Sequence, residues 1–153
     1  MKKLKILLAI VLMGCLVGCA SNEEKVAVDT NKVTDVLTAN GFAVVDDSAK
    51  YKNESYVLKS ITGKYGNAEI AFIEYSSADT AEKVLEEQIE KFSLRKSTGA
   101  STTNKKGKNF HKYILISNNY YMRSVRVENT LIFCNLPLSN KDLVEKVFNA
   151  IAY

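Results

Sequence analysis

Apolar and polar positions follow two rhythms along this chain, one of three to four residues and one of two, and the switches between them mark the elements. Over residues 31–40, Val33, Val36 and Leu37 form one apolar stripe, which predicts a helix, and Gly41 suits the left-handed position that closes it. Residues 42–45 read as a strand, 46–55 as a polar loop, 56–62 as a second strand, and 63–67 as a turn by composition. Residues 68–75 are apolar on both faces at Ile70, Ala71, Phe72 and Ile73, so this third strand belongs near the middle of a sheet.

The strongest helical pattern comes next. Ala81, Val84, Leu85, Gln88, Ile89 and Phe92 share one face, with Glu86, Glu87, Glu90 and Lys91 opposite. Asp79 with Glu82 three places on reads as a capping box. Residues 97–109 carry no apolar side chain except Ala100, which predicts a mobile loop. Strands follow at 110–116, 120–127 and 130–136. Asn118 and Asn119 tolerate the positive backbone angles of a tight hairpin, and Pro137 stops the last strand. Ser139 then caps a final helix whose stripe is Leu143, Val144, Val147, Phe148 and Ile151.

The predicted order is α-βββ-α-βββ-α, an α+β fold with a mostly antiparallel sheet of about six strands packed against amphipathic helices. It forms one domain over residues 29–153. The order resembles the PsbP-like α/β/α sandwich, a likeness of pattern without a shared motif.

The start of the chain has a different pattern. Lys2, Lys3 and Lys5 precede an apolar run at 6–18 of 13 residues. As a helix that run spans about 20 Å, short of the roughly 30 Å of a bilayer core. A short apolar run behind lysines is a signal-peptide pattern. It ends in Leu16-Val17-Gly18-Cys19, which resembles the lipobox of bacterial lipoproteins. The resemblance implies that residues 1–18 are removed, that Cys19 carries the lipid, and that the protein sits on the extracytoplasmic face of the cell membrane. Leu12-Met13-Gly14-Cys15 is a rival box with a poorer fit. An ordinary secretory signal and an uncleaved anchor are the other readings. Residues 19–28 form the lipidated cysteine and a short tether, whose nine residues after Cys19 reach about 30 Å at most. The Asn129-Thr130-Leu131 step before an apolar strand and a last helix also resembles small lipoproteins of Gram-positive bacteria, and that resemblance implies no activity.

Removal of the signal segment changes the charge. The chain carries 21 basic and 17 acidic residues, and three lysines leave with residues 1–18, so the mature form is nearly neutral. A nucleic-acid partner has no support from such a composition. Of three cysteines, Cys15 is discarded and Cys19 is lipidated. Cys134 is left alone in an apolar strand, where it reads as a small buried hydrophobe.

Candidate chemistry is sparse. The one histidine, His111, lacks the companions that a zinc site or a catalytic triad needs. No phosphate loop, dinucleotide loop or calcium loop is present. Asp46-Asp47 and Glu69 with Glu74 are the carboxylates a hydrolase could recruit. A hairpin at Asn118-Asn119 sets Ile114 opposite Arg123 and Lys112 opposite Val125. Lys112 and Arg123 then share a face with apolar neighbours. They lie at the sheet margin with wet heads, or pair with Glu69 or Glu74, or form an anion-binding spot, to which Lys105, Lys106 and Lys108 add field. A one-residue slip of register removes the argument. Tyr113, Tyr120 and Tyr121 gather at the same hairpin. The expectation is therefore a membrane-anchored binding or accessory module, with no enzyme activity, metal or cofactor. Its partners would be the membrane and a protein or envelope polymer. The alternatives are a small-ligand binder with a cavity between sheet and helix, an immunity-type lipoprotein, and last a hydrolase.

Overall fold

The computed structural model describes residues 22–153. Cys19 and the rest of the lipobox lie outside the described residues. Helix α1, Thr30–Ala39, opens with Asp29 accepting from the Lys32 N–H and closes near Gly41, whose φ of +82° a side-chain-bearing residue rarely adopts. Strand β1, Ala43–Asp46, and a 3-10 turn at Ser48–Tyr51 lead into β2, Val57–Tyr65, and β3, Ala68–Tyr75. Helix α2, Ala78–Ser93, is followed by β4, Ser101–Lys106, β5, Phe110–Ser117, β6, Tyr120–Val127, and β7, Thr130–Pro137. A 3-10 turn at Leu138–Asn140 joins β7 to helix α3, Lys141–Ile151.

The fold is α+β, and the seven strands form one antiparallel sheet in the order β1-β2-β3-β7-β6-β5-β4. Alternation along each strand separates the two faces. On one face Ile70, Phe72, Val125, Ile132 and Leu136 meet Val33 and Leu37 of α1 and Val144, Val147 and Phe148 of α3. On the other, Ile73, Tyr75 and Leu131 meet Ala81 and Leu85 of α2, while Tyr113, Leu115 and Met122 meet Phe92. β3 is paired on both sides, by β2 and β7, as its two apolar faces required.

Four expectations are corrected. The segment 97–109 is not a loop throughout: Ser101–Lys106 pairs with β5, giving a seventh strand and the order α-βββ-α-ββββ-α. Every side chain of β4 is exposed, so no buried face imposes an apolar rhythm, and its two lysines suit an open edge. Gly63 is not a turn residue. It lies inside β2, where Leu37 packs so closely that an added Cβ would fall 2.9 Å from a Leu37 methyl carbon; the turn is Gly66-Asn67. Ser77, not Asp79, caps α2, accepting from the Thr80 N–H, which frees Glu82 for another role. Ser139 lies within the 3-10 turn, and α3 begins behind Asn140 with no side-chain cap.

Residues 22–28 lie along the domain. Asn109 is the clasp: its side-chain carbonyl accepts from the Lys25 N–H at 2.9 Å and its amide donates to the Lys25 carbonyl at 2.7 Å. The Lys108 N–H donates to Glu23, and the Val28 N–H donates to the Tyr153 hydroxyl.

Candidate functional site

The hairpin forms with Asn118 and Asn119 both at positive φ, and the register sets Ile114 opposite Arg123 and Lys112 opposite Val125. Lys112 and Arg123 therefore share a face, the one that carries α1 and α3. Their environments diverge. Arg123 is 5 % exposed. Its guanidinium lies 4.2 Å from the Phe148 ring centroid and donates to the Tyr153 main-chain oxygen at 2.6 Å. α3 has closed over it, and its work there is to hold the last turn of the chain. Lys112, one strand farther out, is half-buried. Neither residue pairs with Glu69 or Glu74; Glu69 pairs with Lys64 at 3.3 Å instead.

Around Lys112 the face is basic. Lys105 on β4 is its direct cross-strand partner, an arrangement of like charges that weakens a sheet. Lys25, brought in by the N-terminal strap, lies 5.5 Å from the Phe110 ring centroid, and Lys105 lies 5.7 Å from the same ring. Glu23 pairs with Lys105 and Glu24 with Lys108. Lys25 donates to the Ala152 carbonyl, and neither Lys25 nor Lys112 has a carboxylate partner among the described residues. Burial, then Arg123, Lys105 and Lys25, pull the Lys112 ammonium below its usual range. Lys25 and Lys105 over one aromatic ring, with Lys112 beside them and one carboxylate nearby, can hold an anion by charge and N–H donation.

The opposite face carries a different polar cluster, centred on Glu82 of α2. One carboxylate oxygen meets Arg126 Nε at 2.5 Å. The other meets Lys106 Nζ at 2.7 Å and His111 Nδ1 at 3.3 Å. Arg126 also donates to the carbonyls of Asn109 and Glu128, and His111 Nε2 lies 2.8 Å from the Asn104 side-chain oxygen. Burial raises the Glu82 carboxyl, but Lys106, Arg126 and His111 together outweigh it and hold it below the usual range. Burial lowers His111. Glu82 and Arg126 meet as an ion pair without hydrogen-bond geometry, and together with Lys106 and His111 the cluster pins α2 to β4, β5 and β6. Sequence spacing could not reveal it, because Glu82 sits where a capping glutamate would.

The remaining candidates are held in ordinary contacts. Asp46 pairs with Lys59, and Asp47 with Lys50 and the Thr62 hydroxyl. Of the three tyrosines, Tyr113 and Tyr121 are buried and only Tyr120 is exposed. Burial pushes the Cys134 thiol up to about 12, the state of an inert core thiol. Among the described residues no group of three or more His, Cys, Asp or Glu is placed to hold a metal, and no helix is long and apolar enough to cross a membrane.

No family model and no curated protein matches the chain. Among solved structures it is similar to a GTP binding regulator from Thermotoga maritima, at 15% sequence identity and a TM-score of 0.48, covering 85% of this chain and 92% of that one.

Proposed function

We propose that the chain is a lipid-anchored extracytoplasmic binding or accessory module that presents its basic face to an anionic membrane or envelope polymer and performs no catalysis. One observation supports it above others. The segment from Asn22 to Val28 is clasped to the turn between β4 and β5 rather than standing away from the domain. Only three residues separate Glu23, the first clasped residue, from Cys19, so a lipid on Cys19 lies within about 14 Å of it. Lys25, Lys105, Lys108 and Lys112 surround that point. Charges act over about 8 Å at physiological ionic strength, so an anchor there would bring the basic face within range of phosphate headgroups. Lys25 and Lys112, which have no acidic partner, would add about 1 kcal/mol each. We also read the fold as PsbP-like, on the support of helices lying on both faces of one antiparallel sheet.

Two variants test the reading. Cys19→Ala should release the protein from the membrane fraction or leave it unprocessed. An unchanged mass and fractionation would remove the anchor. Lys25→Ala with Lys112→Ala, tested on the chain with Cys19→Ala, should weaken binding to vesicles containing phosphatidylglycerol about tenfold or more at low salt. Equal binding to anionic and neutral vesicles by the parent would remove the basic-face contact.

A further inference from the structure

Helix α2 covers the sheet beneath β5, β6 and β7 but leaves space toward β2 and the 3-10 turn that precedes it. A cavity of about 230 Å³ opens there, lined by residues that include Tyr51, Glu54, Tyr56, Tyr75, Glu87 and Phe133. At roughly 30 Å³ per water, it holds the bulk of some seven or eight waters, the size of a small organic group. The sequence brings these side chains from five separate places. Tyr51 comes from the 3-10 turn, Glu54 and Tyr56 from the loop after it, Tyr75 and Phe133 from β3 and β7, and Glu87 from the flank of α2.

The chemistry of the walls is one-sided. Four aromatic rings contribute, with Tyr56 and Tyr75 stacked at 6.4 Å and 13°. Ring faces carry partial negative charge and attract cations. Two carboxylates stand among them, and no lysine or arginine lines the space. Glu54 accepts from the Tyr56 hydroxyl at 2.5 Å, which fixes both groups, and neither Glu54 nor Glu87 belongs to an ion pair among the described residues. Tyr75 is 2 % exposed, and its hydrogen bonds among the described residues, to Asn129, are made by its main chain. The ring is enclosed, and its hydroxyl, which has no hydrogen-bond partner among the described residues, lines the open space. The local field is negative: burial first, then Tyr51, Tyr56, Glu54 and Glu87, push the Tyr75 hydroxyl above its ordinary value.

We propose that this cavity binds a primary alkylammonium group, such as a lysine-type side chain or a small amine, with the ammonium held by Glu54, Glu87 and the Tyr75 hydroxyl and its aliphatic stem against the aromatic rings. A neutral apolar ligand would offer no new partner to either carboxylate or to the hydroxyl. An anion would meet two like charges. A primary ammonium offers three N–H donors to three oxygen acceptors. The site lies on the α2 face of the sheet, away from the basic face, and does not depend on the anchor.

The test uses the full chain in a maltoside detergent, which carries no cation of its own, with n-butylammonium as probe and ligand-observed saturation-transfer NMR as readout. Butan-1-ol, of nearly the same size and neutral, is the control. The expected result is transfer to n-butylammonium, at least tenfold weaker affinity in the Glu54→Gln/Glu87→Gln double variant, and a smaller loss, about threefold, in Tyr75→Phe, which keeps the stacked ring. Circular dichroism confirms that each variant is folded. If a substituted chain fails to fold, a salt series on the unaltered protein replaces it, and affinity for n-butylammonium should fall as the charges are screened while that for butan-1-ol does not; an affinity independent of salt would overturn the proposal. No transfer to n-butylammonium, equal affinity for butan-1-ol, or unchanged binding in the folded double variant would each overturn the proposal.

Discussion

Replacing Glu82 by glutamine keeps the shape of the side chain and removes its charge, so the loss falls on the cluster that ties α2 to the sheet. Two cations, Lys106 and Arg126, depend on this carboxylate at pH 7, and they are unequal. Lys106 is 57 % exposed at its side chain, so water replaces the lost partner and its share is under about 1 kcal/mol. Arg126 is only 9 % exposed at its side chain, and its Nε has lost a partner at 2.5 Å. Stranding one member of a fully buried pair costs about 3–5 kcal/mol. Glu82 retains 20 % exposure, and Arg126 keeps the carbonyls of Asn109 and Glu128, so the loss falls at or just below the bottom of that range, about 2–3 kcal/mol for the substitution. Removing the cation as well should restore part of this. In a double-mutant cycle of Glu82→Gln with Arg126→Met, the double variant should be about 1–2 kcal/mol more stable than the two single losses add up to. Urea unfolding at pH 7 gives all four free energies. A Glu82→Gln loss below about 0.5 kcal/mol, or strict additivity, would refute the claim that the pair is an effectively buried one. The same cluster fixes an acid limb. His111 and Glu82 both have folded values below their unfolded ones, so their contributions are complete above those unfolded values and decline as pH falls. In the unaltered protein, stability should begin to drop below about pH 6.5 through His111 and drop further below pH 4.5 through Glu82. In Glu82→Gln the lower part of that decline should shrink, leaving the share of Glu23, Asp46 and Asp47, whose folded values also lie low.

Two further substitutions read the backbone contacts. Gly63→Ala would place its Cβ 2.9 and 3.0 Å from the two methyl carbons of the fully buried Leu37. It should cost about 1–3 kcal/mol in urea unfolding, and a neutral result would mean that α1 can lift from β2 freely. Gly107→Ala would place its Cβ 2.6 Å from the Glu23 carbonyl oxygen and 2.1 Å from a Phe110 ring carbon. It should free residues 22–28 for proteolysis while amide exchange in β3 and β7 stays slow; an unchanged cleavage rate would count against the clasp.

Legibility followed burial. β3 was readable to the residue because both of its faces are covered from Ile70 to Ile73, where the apolar pattern is unbroken. The β5–β6 register was readable because Asn118-Asn119 is one of the few pairs that accept two positive φ angles in succession. β4 was not, since an edge strand with every side chain in water leaves no rhythm to detect. Gly63 misled because Gly-Lys-Tyr-Gly-Asn has the composition of a turn, whereas its first glycine serves close packing against α1. The shared face of Lys112 and Arg123 followed from register alone. Their different fates did not, because only the position of α3 decides which of them is covered. The ring cavity was beyond reach for the same reason: Tyr51, Tyr75 and Phe133 are separated in the chain by whole elements.

The clasp at Asn109 also sets how the molecule would bear load. A pull on the segment before Asn22 is resisted first at Glu23, by the Lys108 N–H and the Lys105 ion pair, then by the two hydrogen bonds between Asn109 and Lys25, then by Val28 on the Tyr153 hydroxyl, and only afterwards by α1. Thermal or hydrodynamic tugging would therefore peel a few residues, lengthen the leash by some 20 Å, and relax again with the strand ladders untouched.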